Sequence, residues 1–500
     1  MAEIASPAAV PATSAYARWF NLTVLAVIVT LGAVLRFHGL GEKSVWVDEG
    51  VSIELARLDW YNFLRILWRH EGNMALYHLM LRAWLPFGIS EAYIRTLSVI
   101  FGLATLPAIY TLGRRLFDAR VGLIASFLLV VNAYHIRYSQ EARSYSLYPL
   151  LCVLSSLYFV RFLEEPSRRN RIGHVFTSAL AVYAHFFAGL LIVVQWLSLR
   201  LLGRKDLHAA TRKSWRIFAI AVAPEVLFVL TTGTGVLRWI PRPGLADLRH
   251  SAMFLTGNGG LILAVLYLFA IVAAVWRPRV FGHVPRLPWS EWRHCFLVLW
   301  IVLPIAFVFL ISQLKPFFLP RYFVFTLPAL ALLAAAGLAR IPSRWFLAAT
   351  LLLFAVLSLK GVSAYYQRDI DIAREDWRGA THYTLAKVQP GDVIVFYQPI
   401  GRMPYEYYRS VTPHASDPRV LYPEHGEQVT FRDFYAGRPP DNFLRAISGP
   451  YPRVWFVFTY NEINSLPDAT TNFVSNWFAQ QYRSMQTQRF ERIEVRLYSR

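Results

Sequence analysis

The side chains best suited to chemistry fall in three short segments. The first is Val45-Trp46-Val47-Asp48-Glu49, two adjacent carboxylates just past the first long apolar run. A carboxylate beside a hydroxyl or amine can take its proton as a general base. Asp48 is the expected base, with Glu49 supporting it or contacting an acceptor. Asp48 also reads as the N-cap of a helix Glu49–Leu58, where an acid meets the positive end of the helix dipole. The two roles are compatible, because a cap fixes the rotamer that a base needs.

The second segment is Arg137-Tyr138-Ser139-Gln140-Glu141-Ala142-Arg143-Ser144-Tyr145. Arginine forks bind phosphate bidentately, so Arg137 and Arg143 are expected to bind phosphate. Glu141 would orient Arg143 or contact substrate, with Tyr138 and Tyr145 beside it. The structural alternative is an interfacial belt of Tyr and Arg anchoring two helix ends.

The third segment is Lys315-Pro316-Phe317-Phe318-Leu319-Pro320-Arg321-Tyr322, where two cations bracket aromatic rings. Lys315, Arg321 and Tyr322 are read as further phosphate contacts and the rings as a groove for a prenyl chain. Snorkelling of the cations to lipid head groups is the competing account. Asn73, Tyr77, His78 and His185 are lesser substrate-binding candidates. His185, at a span end, also reads as an ordinary satisfied polar residue. No HExxH or similar spacing occurs, so no metal site follows from the sequence. A divalent cation on Asp48 or Glu49 stays open and is not required. Without a P-loop or dinucleotide fingerprint, a soluble activated nucleotide has no obvious cradle.

These segments must be held by a membrane protein. The chain of 500 residues is 55% hydrophobic and only 16% charged, against about 25% charged in soluble domains. Its net charge of +20 sits in short loops between apolar runs, the pattern of orientation signals rather than of a nucleic-acid groove. The two cysteines, Cys152 and Cys295, lie in apolar segments and exclude a disulfide framework. No signal-peptide cleavage pattern precedes the first span, which is expected to stay as a signal anchor.

A bilayer core needs roughly 20 apolar residues per helix. About eleven spans result: Phe20–Arg36, Tyr93–Leu112, Val121–Ile136, Tyr145–Phe162, His174–His185, Ala188–Leu202, Ile217–Thr234, Leu261–Trp276, Phe296–Ile311, Tyr322–Leu338 and Trp345–Lys360. The fifth and sixth are either one tilted helix or two short spans turning at His185-Phe186-Phe187. Basic loops around Arg114, Arg161, Arg204, Arg212, Arg216, Arg277, Arg279, Arg286 and Arg340 then share one side, the cytoplasm, with the N-terminus. The Gly39–Ala92 loop, all three chemical segments and the C-terminal tail fall on the other side. Residues 1–361 form the membrane domain. Residues 362–500 read as a small extracytoplasmic α/β domain: Asp369, Asp371, Glu375 and Asp376 open a helix ending at Lys387. Strands follow at Asp392–Tyr397, Arg453–Thr459 and Arg489–Tyr498, with a helix over Asn472–Tyr482.

Three pieces resemble the GT-C superfamily of membrane glycosyltransferases: Trp46-Val47-Asp48-Glu49, Tyr138 through Tyr145, and Arg321-Tyr322. They are most similar to the branch holding the dolichyl-phosphate-mannose protein mannosyltransferases and the lipid A aminoarabinose transferases. The block Leu76–Leu116 is also similar. Two positions depart from that branch: Asn73-Met74-Ala75-Leu76-Tyr77 stands where His-Pro-Pro-Leu-Tyr is common, and Gly50 follows the acidic pair. The resemblance implies transfer of a sugar from undecaprenyl phosphate to a lipid, glycan or protein acceptor on the outer face of a bacterial inner membrane. A single base fits inversion, since retention would use a second carboxylate as nucleophile. Two readings compete with this one: a flippase for a lipid-linked saccharide, which would want ionisable groups deep in the spans, and a scaffolding membrane subunit, which leaves the acidic pair unexplained.

Overall fold

The computed structural model describes residues 15–202, 205–232, 240–276, 287–368, 374–423, 437–460, 462–463 and 466–500. Arg204, Arg277, Arg279, Arg286, Asp369 and Asp371, named above, lie outside the described residues. The chain divides into two compact units. One comprises Met1–His38, Arg69–Tyr77 and Arg95–Ile370; the other comprises Gly39–Trp68, His78–Ile94 and Asp371–Arg500.

The first unit is helical and membrane-spanning. Its main helices are α1 (Ala15–Phe37), α2 (Glu91–Leu116), α3 (Ala119–Val130), α4 (Ala133–Ser139), α5 (Leu147–Glu164), α6 (Arg168–Ala184), α7 (Ala188–Leu202), α8 (Lys205–Thr232), α9 (Leu261–Val275), α10 (Trp289–Ser312), α11 (Leu327–Leu338) and α12 (Arg344–Gln367), with a shorter helix, Leu245–Leu255, between α8 and α9. Among the described residues seven helices are long and apolar enough to cross a membrane, α11 counting together with the short helix Pro320–Thr326 before it. The bent pair α3–α4 would add one, and α7 and α9 are shorter apolar helices. Each apolar segment read from the sequence is helical over most of its described residues, and the Ala184–Ala188 break separates α6 from α7 at His185 to Phe187. Helix α11 has all its residues buried; its run of alanines lets α9 and α3 pack closely. Helix α1 leaves most of its surface exposed, as a lipid-facing helix should.

The expected single span Val121–Ile136 is broken. Asn132 ends α3 and caps α4, its side chain accepting from the His135 N–H at 3.0 Å, and the two axes differ by 68°. The break exposes carbonyls that α3 cannot satisfy itself. Arg36 of α1, fully buried, covers them: its guanidinium donates to the Leu129 and Val130 carbonyls at 3.4 and 3.3 Å, to Ser139 Oγ at 3.3 Å and to His135 Nδ1 at 2.7 Å. A cation at a helix C-terminus also meets its negative dipole end.

The second unit is built on a mixed sheet of strands β1 (Val393–Phe396), β2 (Arg419–Tyr422), β3 (Arg453–Thr459), β4 (Ser484–Phe490) and β5 (Ile493–Ser499), in the order β2-β1-β3-β5-β4. β1 runs parallel to β2 and β3, while β5 is antiparallel to β3 and β4. The final expected strand, Arg489–Tyr498, is in fact the hairpin β4–β5, which turns at Glu491-Arg492 with Arg492 at φ +57°. The helix expected to end at Lys387 begins at Trp377, because Asp376 caps it by accepting from Gly379 N–H at 2.9 Å. The helices Arg402–Val411 and Asp441–Ile447 and the strand β2 were not foreseen. Arg378 ties the Gly39–Ala92 loop to this domain, donating to the carbonyls of Gly41 and Glu42 at 2.7 and 3.0 Å and pairing with Glu91.

Candidate active site

In the membrane unit the segment from Arg137 to Tyr145 is neither a surface turn nor an interfacial belt. Its first three residues belong to α4, and every side chain from Arg137 to Tyr145 is buried. Arg137 Nη1 pairs with Glu141 Oε2 at 3.2 Å, and its guanidinium lies 4.8 Å from the Tyr138 ring centre. This pair satisfies two charges that burial would otherwise penalise and fixes the loop that presents Arg143. The Arg143 N–H donates to the Glu141 carbonyl at 2.7 Å, and its guanidinium stands 4.0 Å from Glu71. Tyr77 is hydrogen-bonded to Ser98 at 2.8 Å, and Ser98 Oγ donates to the Arg143 carbonyl at 3.4 Å. Tyr77 therefore supports the Arg143 backbone.

Around Arg143 the rings of the second and third sequence segments meet those of the 185–187 break. His185 stacks on Tyr148 with centroids 4.8 Å apart and meets Tyr322 at 5.2 Å, Phe187 at 5.3 Å and Tyr145 at 6.1 Å. The Arg321 guanidinium lies about 6 Å from both Tyr145 and Tyr322. The charges of Arg143 and Arg321 both bear on the His185 ring. His185 Nδ1 accepts the Phe187 N–H at 3.3 Å, which leaves the proton on Nε2. That Nε2–H is buried with no hydrogen-bond partner among the described residues. Asn73 Oδ1 accepts the Phe186 N–H at 3.0 Å, so it holds the 185–187 break. Lys315 is exposed and makes no contact with this cluster among the described residues. Two guanidinium groups, one N–H donor and a wall of aromatic rings are the elements of a phosphate and prenyl site.

The acidic pair belongs to the second unit. The helix that carries it spans Val47–Arg57 with Trp46 as N-cap, so Asp48 is the second helical residue and not the cap expected from the sequence. The cap's work falls to Glu375, whose Oε2 accepts the Val47 N–H at 3.3 Å while Tyr460 donates to its Oε1. Burial pushes the Glu375 carboxyl up to about 7, and the Asp48 charge adds to the rise. Glu49 is fully buried, 3.7 Å from the Arg374 guanidinium. Asp48 alone of the pair is half-buried. Gly50 is explained by packing: a Cβ there would lie 2.6 Å from the Pro404 backbone nitrogen. His78, in the same unit, is fully buried.

Among the described residues no group of three or more His, Cys, Asp or Glu side chains is arranged to hold a metal ion. Sequence reasoning missed Tyr148, Glu71, Arg374 and Glu375 as members of these groups. Glu375 was visible only as one acid in a helix-like run; nothing local signals that it caps a helix more than 300 residues earlier.

The fold is that of the GT-C membrane glycosyltransferases, in its ArnT-like form. The family described as dolichyl-phosphate-mannose-protein mannosyltransferase matches residues 74–230. ArnT from Cupriavidus metallidurans bound to undecaprenyl phosphate superposes with a TM-score of 0.65 at 13% identity, over 97% of this chain and 98% of that one. The Archaeoglobus fulgidus oligosaccharyltransferase tethered with an acceptor peptide gives 0.52 at 11% identity, over 89% and 70%. The archaeal oligosaccharyltransferase AglB from Archaeoglobus fulgidus, in complex with an inhibitory peptide and a dolichol-phosphate, gives 0.50 at 11% identity, over 89% and 70%. No curated protein matches the chain by sequence.

Proposed function

We propose that this protein transfers a sugar from a polyprenyl phosphate, in a bacterium undecaprenyl phosphate, to a lipid, glycan or protein acceptor at the outer face of the plasma membrane. The observation that carries the reading is the cluster of buried Arg143, half-buried Arg321 and the buried His185 Nε2–H among aromatic rings. The solved relatives support a lipid-linked donor: one holds undecaprenyl phosphate and another dolichol-phosphate. The N-terminus would be cytoplasmic and the C-terminal α/β domain extracytoplasmic, following the basic-loop bias.

In the reaction Asp48 takes the proton of the acceptor hydroxyl or amine. The acceptor atom bonds to the anomeric carbon as the bond from that carbon to the phosphate oxygen breaks, and polyprenyl phosphate leaves. Direct displacement inverts the sugar carbon. Arg143 and Arg321 stabilise the charge that develops on the departing phosphate, where such groups contribute most. The His185 Nε2–H adds a neutral donor, and Lys315 contributes a screened charge. Arg137, Glu141, Asn73 and Tyr77 hold the loops; Tyr138, Tyr145 and Tyr322 line the cluster. Glu49, paired with Arg374, fixes the turn that presents Asp48.

The test is transfer by purified enzyme, with mass spectrometry of envelope glycolipids and glycoproteins in cells with and without the gene supplying the substrates. Asp48→Asn is expected to lower turnover by about 10²–10⁴-fold with unchanged thermal unfolding. Wild-type turnover in that variant overturns the base assignment.

A further inference from the structure

The membrane unit carries a second concave feature, built by α7 and α8. Gly189, Ile192, Val193 and Trp196 on α7 face Arg212, Trp215, Arg216 and Ala219 on α8 across a groove of about 550 Å³. Both sets have the i, i+3, i+4, i+7 spacing of one helical face. The groove is almost wholly apolar along its length, and its volume falls in the range of sites that hold small molecules, roughly 300–1,000 Å³. At one end it joins a smaller polar depression of about 210 Å³, lined by Trp196, Leu199, Arg200, Thr211, Arg212 and Trp215. The two share Trp196, Arg212 and Trp215, so they form one amphipathic cleft.

The polar end is strongly cationic. Arg200 lies over the Trp196 ring, 4.8 Å from its centre, and Arg212 and Arg216 stand one turn apart on α8. Arg200, Arg212 and Arg216 are exposed and make no ion pair among the described residues. Among the described residues, none that lines either part of the cleft is acidic. An apolar slot facing lipid, ending in guanidinium groups and a threonine, complements the shape and charge of a phospholipid with an anionic head group. A zwitterionic lipid would bring its own cation against the arginines.

We propose that this cleft binds an anionic phospholipid, acyl chain along Ile192, Val193 and Phe218 and head-group phosphate on Arg200, Arg212 and Arg216. The site lies at the end of α7 and α8 that the charge bias assigns to the cytoplasmic leaflet, and it uses none of the residues given a part in sugar transfer.

Native mass spectrometry of the full-length protein, delipidated and titrated with dioleoylphosphatidylglycerol or dioleoylphosphatidylcholine, tests the proposal. Wild type is expected to retain phosphatidylglycerol about tenfold better. The Arg200→Gln, Arg212→Gln, Arg216→Gln variant is expected to lose that preference, whereas Arg168→Gln, Arg169→Gln, Arg171→Gln keeps it. Equal retention of the two lipids by wild type overturns the proposal, as does an unchanged preference in the first variant. On wild-type protein, a phosphatidylglycerol bearing a photoreactive acyl chain is expected to label peptides covering residues 189–196 and 215–219; labelling confined to other helices also overturns it.

Discussion

Glu375 closes the N-terminus of the helix that carries Asp48: its carboxylate accepts the Val47 N–H at 3.3 Å, one residue before the proposed base. Burial holds this carboxyl at about 7, from an ordinary value of 4.5. An acid whose folded value is raised binds protons that the unfolded chain has released. Stability from neutral Glu375 is therefore full below about pH 4.5 and is lost as the pH rises through about 7. The span corresponds to about 3 kcal/mol. Glu54, also raised to about 7 by burial, adds a slope of the same sign. Wild type is expected to lose thermal stability between pH 5 and pH 8, and Glu375→Gln to lose distinctly less. Parallel melting curves for the two proteins across that range would contradict the assignment.

Much of this arrangement is written in local patterns. Apolar run length gives the helices of the membrane unit, and the three segments that hold chemistry stand out because their charges sit where insertion does not need them. What is not legible depends on contacts across long sequence distances. Val121–Ile136 reads as one span because nothing nearby shows that Arg36 will satisfy the carbonyls released by a break at Asn132. Asp48 reads as a cap because local propensity favours it, yet Glu375 supplies that bond from the far end of the chain. The hairpin β4–β5 reads as one strand because Glu491-Arg492 lacks the glycine or asparagine that usually marks a tight turn.

Gly50 is a packing position. The Cβ of an alanine there would meet the Pro404 nitrogen at 2.6 Å and its Cα at 2.9 Å, both backbone atoms that cannot rotate away. Gly50→Ala is expected to force the helix Val47–Arg57 off the helix Arg402–Val411 and to cost about 1–3 kcal/mol. Thermal unfolding reads the cost directly. Turnover should fall as well, because Asp48 lies two residues away on the displaced helix. A variant as stable and active as wild type would show that the two helices yield freely.

Arg321 and Lys315 separate two accounts of the basic residues in the third segment. Arg321 lies against Tyr145 and Tyr322, whereas Lys315 is exposed. A phosphate held in the aromatic cluster loses a charge-assisted hydrogen bond in Arg321→Gln, worth roughly 1.5–3 kcal/mol. The KM for the polyprenyl-phosphate donor is expected to rise by about ten- to a hundredfold. Lys315→Gln, a screened surface charge, should change it by no more than about twofold. Equal effects of the two substitutions on KM would favour general attraction to lipid head groups over a phosphate site at Arg321.

Arg36 is the most exacting position in the membrane unit. Its guanidinium serves two carbonyls at the end of α3, the Ser139 hydroxyl and the His135 ring, with no exposed surface of its own. Arg36→Met fills a similar volume but removes the donor to the buried Val130 carbonyl and His135 Nδ1, at about 1–3 kcal/mol for each group left unsatisfied. Arg36→Lys retains the charge but not the fork that reaches several acceptors at once. Stability should therefore fall in the order wild type, Lys, Met, as read by thermal unfolding in detergent. Because α4 carries Arg137 and leads into Glu141 and Arg143, turnover by the remaining folded protein should fall in the same order. Full activity in folded Arg36→Met protein would mean that the break between α3 and α4 is set by Asn132 alone, and that the buried cation has no part in presenting the proposed phosphate-binding loop.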